Sequence, residues 1–166
     1  KMPKLNKKIK KIDSKKVLFI MSSIYSELTE KNILFCKEIV EFLKDKKEIK
    51  RVDLRLHPRT NSKLKWPNKL KGILEDTGLE INLQNRNASS LSEIAHDYLG
   101  FVCAFSSAAR ICQEQSESFV TCVLNISGRL NEESWMLGDL QDVCIIKAGE
   151  KLSDEMFVRG KNNLEA

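Results

Sequence analysis

Two short stretches carry the side chains best suited to chemistry on an anion. The first is His57-Pro58-Arg59-Thr60. An imidazole just past a strand end donates to a phosphate oxygen near neutral pH. Pro58 fixes the local backbone and so aims the ring. Arg59 adds a planar fork of donors that matches phosphate geometry. The second stretch is Phe105-Ser106-Ser107-Ala108-Ala109-Arg110. Here an apolar strand gives way to two hydroxyls and then to small residues that open a helix. The first turn of a helix has unpaired N–H groups and the positive end of a dipole, so it favours anions. Ala108 and Ala109 let a ligand approach closely. Each stretch alone has an ordinary explanation: a surface turn with a chance histidine, and plain N-capping by serine.

Position makes the pair informative, and position depends on the elements around them. Lys16-Val17-Leu18-Phe19-Ile20-Met21 is a continuous apolar run, as a buried parallel strand requires. Ser22-Ser23 follow as turn residues. A helix is expected from about Glu27 to Lys44, with Ile33, Cys36, Ile39, Val40 and Leu43 on one face. Arg51 to Leu56 alternates as a second strand and must stop at Pro58, which cannot continue a ladder. Trp66 to Leu74 reads as an amphipathic helix with Pro67 in its first turn and Gly78 as its cap. Leu79 to Leu83 is a third strand. Ser90 with Glu93 forms a capping-box pattern for a short helix through Asp97. Gly100 to Phe105 is a fourth strand, and a helix follows through Gln115. Phe119 to Ile126 and Val143 to Ile146 are the fifth and sixth strands.

Strands alternating with helices predict an α/β fold with a doubly wound, mostly parallel, Rossmann-like sheet. Such sheets bind ligands outside the carboxyl ends of their strands. His57 ends the second strand, Ser106-Ser107 end the fourth and Ser22-Ser23 end the first, so all three fall on one edge. Arg110, Glu80 and Glu114 are further candidates. Arg110 could assist with phosphate, and the two carboxylates could hold ribose hydroxyls, although a solvated surface role is commoner for both. Gly128 and Arg129 follow the fifth strand on the same edge. Trp135-Met136-Leu137 reads as packing.

With the edge defined, the sequence resembles a family. A His-Pro dipeptide at a strand end with a later Ser-Ser pair looks like the donor-nucleotide half of bacterial GT-B glycosyltransferases. The nearest in pattern are the sialyltransferases, polysialyltransferases and related capsule or lipooligosaccharide enzymes, which use CMP-activated acidic sugars. Teichoic-acid transferases with CDP-linked donors carry a similar pair. The resemblance covers roughly residues 16–150. It implies that His57, Ser106 and Ser107 hold the donor phosphate and that His57 acts in catalysis. It also implies a CMP-sugar (sialic acid-like or Kdo-like) as substrate, no metal, and a surface glycan as acceptor. In the sialyltransferases an acidic-acidic-Gly motif of the N-terminal domain activates the acceptor. Here Glu75-Asp76 are followed by Thr77 before Gly78, so that motif is absent, and the acceptor is expected to reach the site through a missing N-terminal domain. A chain of this kind would be an incomplete enzyme, binding the donor without turnover. The rival reading is a non-catalytic, flavodoxin-like binding module.

Composition narrows the field further. Residues 1–16 carry eight lysines and one acid, whereas the rest of the chain sums to −2, so the folded part is not basic and nucleic-acid binding is not expected. Residues 1–15 are expected to be a basic tail or linker, able to meet anionic lipid on the cytoplasmic face of a membrane. The resemblance implies that residues 16–150 form the nucleotide-sugar-binding domain, and residues 151–166 are expected to be a C-terminal extension with a mobile end at Arg159-Gly160-Lys161-Asn162-Asn163. No apolar run is long enough to span a bilayer, and no export signal is evident, which together suggest a cytoplasmic protein. The five cysteines include no Cys-x-x-Cys pair and read as reduced, packed thiols. A cysteine hydrolase is disfavoured, because neither Cys103 nor Cys112 sits on a nucleophile's turn. The sequence also lacks a Gly-x-Ser-x-Gly elbow, a Gly-x-x-x-x-Gly-Lys loop and a Gly-x-Gly-x-x-Gly fingerprint.

Overall fold

A computed structural model describes residues 14–23, 25–84, 89–104, 106–126 and 142–159. Among the described residues six strands form one sheet in the order β3-β2-β1-β4-β5-β6, and every pairing is parallel. They are β1 (Lys16–Ile20), β2 (Arg51–Arg55), β3 (Glu80–Leu83), β4 (Gly100–Cys103), β5 (Phe119–Leu124) and β6 (Cys144–Lys147). The helices are α1 (Glu30–Lys47), α2 (Trp66–Glu75), α3 (Leu91–Ile94) and α4 (Ser106–Gln115), and a 3-10 turn, Ala95–Asp97, extends α3. This is the doubly wound, Rossmann-like class, with a sheet that is wholly parallel where the sequence suggested mostly parallel.

The apolar runs follow from burial on both faces of the sheet. Successive side chains of a strand point to opposite faces. Val17 and Phe19 of β1 therefore join one core with α1 and α2, while Leu18 and Ile20 join the other with α3 and α4. The five apolar positions expected on one face of α1 are all buried, together with Phe35. Thr29 starts that helix, with its Oγ1 accepting from the Asn32 N–H at 3.1 Å. The helix therefore begins three residues later than Glu27, the start expected from periodicity alone. On the second face the capping box of Ser90 and Glu93 is formed as the sequence suggested.

Within the stretch expected as a C-terminal extension, residues 151–159 pack onto the sheet. Phe157 is fully buried, with its ring 5.5 Å from Phe42 and 5.8 Å from Phe119. Thr121 Oγ1 on β5 donates to the Met156 carbonyl at 2.5 Å. Arg159, expected at the mobile end, donates to the carbonyls of Ser116, Ser118 and Gln113. A cation there meets the last carbonyls of α4, where the helix dipole favours it. Residues 160–163 of that expected end, the basic tail at residues 1–13, Phe105, Gly128, Arg129 and Trp135-Met136-Leu137 lie outside the described residues.

Candidate functional site

The strand order reverses between β1 and β4, because β1 leads to β2 and β3 on one side and the chain then returns to start β4 on the other. In this fold the loops leaving the carboxyl ends of two such strands usually diverge, and ligands lie in the crevice between them. Ser22 and Ser23 leave β1 there, and α4 begins at Ser106, just beyond β4. Register fixes their levels. Ile20 pairs with Arg55 on one side and with Cys103 on the other. Those strands thus end level with one another: His57 follows the last paired residue of β2 by two positions, and α4 begins three positions after that of β4. β1 lies between β2 and β4, so the carboxyl ends of β2 and β4 are two strand spacings apart, roughly 10 Å. A phosphate held between an imidazole and a helix N-terminus can span that gap.

His57 is half-buried, and the Arg59 N–H donates to its Nδ1 at 3.1 Å. With Nδ1 accepting, the neutral ring carries its proton on Nε2, which makes Nε2–H a donor. Burial first, and then the nearby Arg59 charge, hold its pKa below the ordinary histidine value. Both favour the neutral ring, and an arriving anion would favour its protonation. The Thr60 N–H closes the turn by donating to the His57 carbonyl at 2.9 Å. Ser22 and Ser23 are both buried, and Ser23 Oγ donates to the Ser26 carbonyl at 2.6 Å. In α4, Ser107 is exposed, and Ala108 and Ala109 are buried against the sheet. Ser106 is placed by its backbone as the first helical residue. Arg110 is exposed one turn further along.

Two of the expected ligands lie elsewhere. Glu80 is the first residue of β3 and pairs with Arg51 at the start of β2, at the amino end of the sheet. Glu114 stands in the last turn of α4, roughly 12 Å along the axis from Ser106. Neither joins His57 and the start of α4, so the ribose role expected for them has no geometric basis. Arg59 and Arg110 remain with the site.

The helix starts around the crevice differ in what meets them. Thr29 caps α1 from within its own sequence. At α2 the cap position is Lys65, whose ammonium can only donate. Glu27 supplies the acceptors instead, taking the N–H of Lys65 on Oε2 and that of Trp66 on Oε1, both at 2.8 Å. Asn32 Nδ2, in the first turn of α1, donates to the carbonyls of Asn125 and Ile126 beyond β5, at 3.2 and 2.9 Å. Sequence reading missed Glu27 and Asn32. The one available signal was a helix start, Lys65-Trp66-Pro67, with no capping side chain of its own.

Beneath the crevice lies an apolar hollow lined by Phe19, Met21, Ile39, Val102, Val123 and Ile126, among others. It offers no polar group to a ligand. All five cysteines are buried and unbridged. The Cys36 thiol is pushed up to about 12 by burial. Cys103 is raised by its hydrogen bond with Cys112 and then by burial. Thiols held protonated in this way are poor nucleophiles. Among the described residues no cluster of three or more His, Cys, Asp or Glu side chains is arranged to hold a metal ion, and no helix is long and apolar enough to cross a membrane. Comparison with known proteins finds no matching family model, no matching curated protein and no matching solved structure.

Proposed function

We propose that the chain is the donor-nucleotide-binding domain of a glycosyltransferase that uses a CMP-activated acidic sugar. One observation carries the reading. Among the described residues the strand order reverses between β1 and β4, and His57 and the N-terminus of α4 follow the carboxyl ends of the two strands on either side of β1. In this reading His57 Nε2 and the first turn of α4 at Ser106-Ser107 hold the donor phosphate, with Arg59 and Arg110 adding positive charge. As the glycosidic bond breaks, charge builds on the departing CMP phosphate. Donors already fixed at that position stabilise it without reorganising. The residue that activates the glycan acceptor belongs to a second domain, so the chain alone binds CMP and does not turn over.

The test is calorimetric titration of CMP, with UMP and inorganic phosphate as controls, repeated with His57→Ala. The reading expects CMP to bind in preference to both controls. The variant should bind at least about tenfold more weakly, the loss of one charge-assisted hydrogen bond. Equal binding of UMP, or affinity unchanged in the variant, would overturn it and favour a non-catalytic α/β module.

A further inference from the structure

We propose that Glu27 is a positioning residue, which joins the β2–α2 loop that begins at His57 to the β1–α1 loop that begins at Ser22. The inference rests on the reading that His57 holds the donor phosphate. Pro67 has no N–H, so the N–H groups of Lys65 and Trp66 are the first donors that α2 presents. Glu27 accepts from both at 2.8 Å. Capture by two oxygens fixes orientation as well as distance. Glu27 is itself held, because Ser23 Oγ closes its loop onto the Ser26 carbonyl at 2.6 Å and the neighbouring Leu28 is buried.

At the other end of the clamped loop, the imidazole is fixed by its own turn. The Thr60 N–H donates to the His57 carbonyl at 2.9 Å, and the Arg59 N–H donates to His57 Nδ1 at 3.1 Å. Trp66 is only 1% exposed, so the loop ends in the core. The eight residues between His57 and Trp66 are thus secured at both ends. The far end is secured by a side chain from the loop that carries Ser22 and Ser23. A cap that served α2 alone would not need to come from that loop. This one ties together the two strand ends on one side of the crevice and so sets where the imidazole stands relative to α4.

The test follows the His57 ring signals by NMR across pH in the wild type, Glu27→Ala and Glu27→Gln, first without ligand and then with CMP. In Glu27→Ala the ring signals are expected to shift and the His57 pKa to move up toward the ordinary value. CMP affinity should fall by at least about fivefold, the cost of losing a pre-ordered loop. Glu27→Gln keeps one oxygen acceptor but sets its amide N–H2 against the second N–H, so it should fall between wild type and Glu27→Ala. If Glu27→Ala lowers the melting temperature but leaves both the His57 titration and CMP affinity unchanged, Glu27 is only a helix cap and the proposal is overturned. If the wild type does not bind CMP, the functional reading fails separately. The ligand-free titration then decides alone: a moved His57 supports the clamp, an unmoved one overturns it. Should Glu27→Ala not fold, Glu27→Asp takes its place, since its shorter arm cannot reach both N–H groups.

Discussion

Two polar regions of this sheet contrast sharply. On the β2 side of the second face, Asp53 is 1% exposed in mid-strand, yet its carboxylate is fully engaged. Arg51 donates to it through Nε at 2.7 Å and through its terminal nitrogen at 3.1 Å, and the Tyr98 hydroxyl donates at 2.5 Å. Gln84 donates in turn to Tyr98, and Arg55 to Gln84. Burial, and then the bond to Asp53, push the Tyr98 phenol well above its usual range. At the carboxyl edge, His57, Ser107 and Arg110 border solvent at a crevice. The difference separates two uses of polarity. A buried network whose members satisfy one another contributes to the specific fold. Donors brought together at a topological switch point are suited to something from outside.

That contrast can be broken from its stable side first. Asp53→Ala would leave the Tyr98 hydroxyl and the Arg51 guanidinium without their acceptor. Because Arg51 can still reach water, the expected cost is about 2–4 kcal/mol. Thermal unfolding should show this as a melting temperature lower by roughly 5–12 °C, with CMP affinity of the folded protein unchanged. Gly100→Ala should cost about 1–3 kcal/mol by overpacking, since an added Cβ would sit 2.1 Å from the Phe119 ring. Denaturant unfolding of Gly100→Ala beside Gly100→Ala/Phe119→Leu checks it, because the smaller side chain should recover part of the loss.

His57→Ala should behave in the opposite way, changing stability by less than about 0.5 kcal/mol while weakening CMP binding at least about tenfold. Its pH dependence has a definite sign. A folded pKa below the ordinary value means that the stability contribution of His57 is present above about pH 6.5 and is lost as pH falls toward the folded pKa. Ligand binding should run the other way, because an anion raises that pKa and is bound together with a proton. Affinity for a CMP methyl ester, whose phosphodiester keeps one charge over this range, should therefore tighten as pH falls below about 6.5. Calorimetry at a series of pH values measures both the trend and the proton uptake. The smallest expected effect belongs to neither region. Glu48 closes α1 with φ of 55°, a left-handed conformation that costs a side chain but not glycine. Glu48→Gly should raise stability by about 0.5–1 kcal/mol without touching binding.

Much of the fold was legible because its signals are local. The run Val17 to Ile20 and the spacing of Ile33, Cys36, Ile39, Val40 and Leu43 state strand and helix directly. Ser90 and Glu93 declared a helix start that formed as written. The starts of β2, α2, β4 and β5 stand where the pattern put them. What stayed hidden was non-local. Nothing in the sequence said that β1 would lie between β2 and β4, and so set the span between His57 and Ser106. Glu80 was assigned by strand without regard to which end of the strand it occupied. Glu27 meets α2 from 38 residues away, and Phe157 completes a core whose other members reach back to Val17 of β1. Asp53 looked like the polar half of an alternating strand because its partner Tyr98 comes from the turn before β4.

The central claim is that the ligand edge lies at the switch point between β1 and β4. The most direct measurement is to follow backbone amide signals by NMR while CMP is added. The account expects the shifted signals to cluster at residues 22–23, 57–60 and 106–110, with Arg51, Asp53 and Glu80 unmoved. Shifts centred on the amino end of the sheet, or no shifts at all, would contradict it.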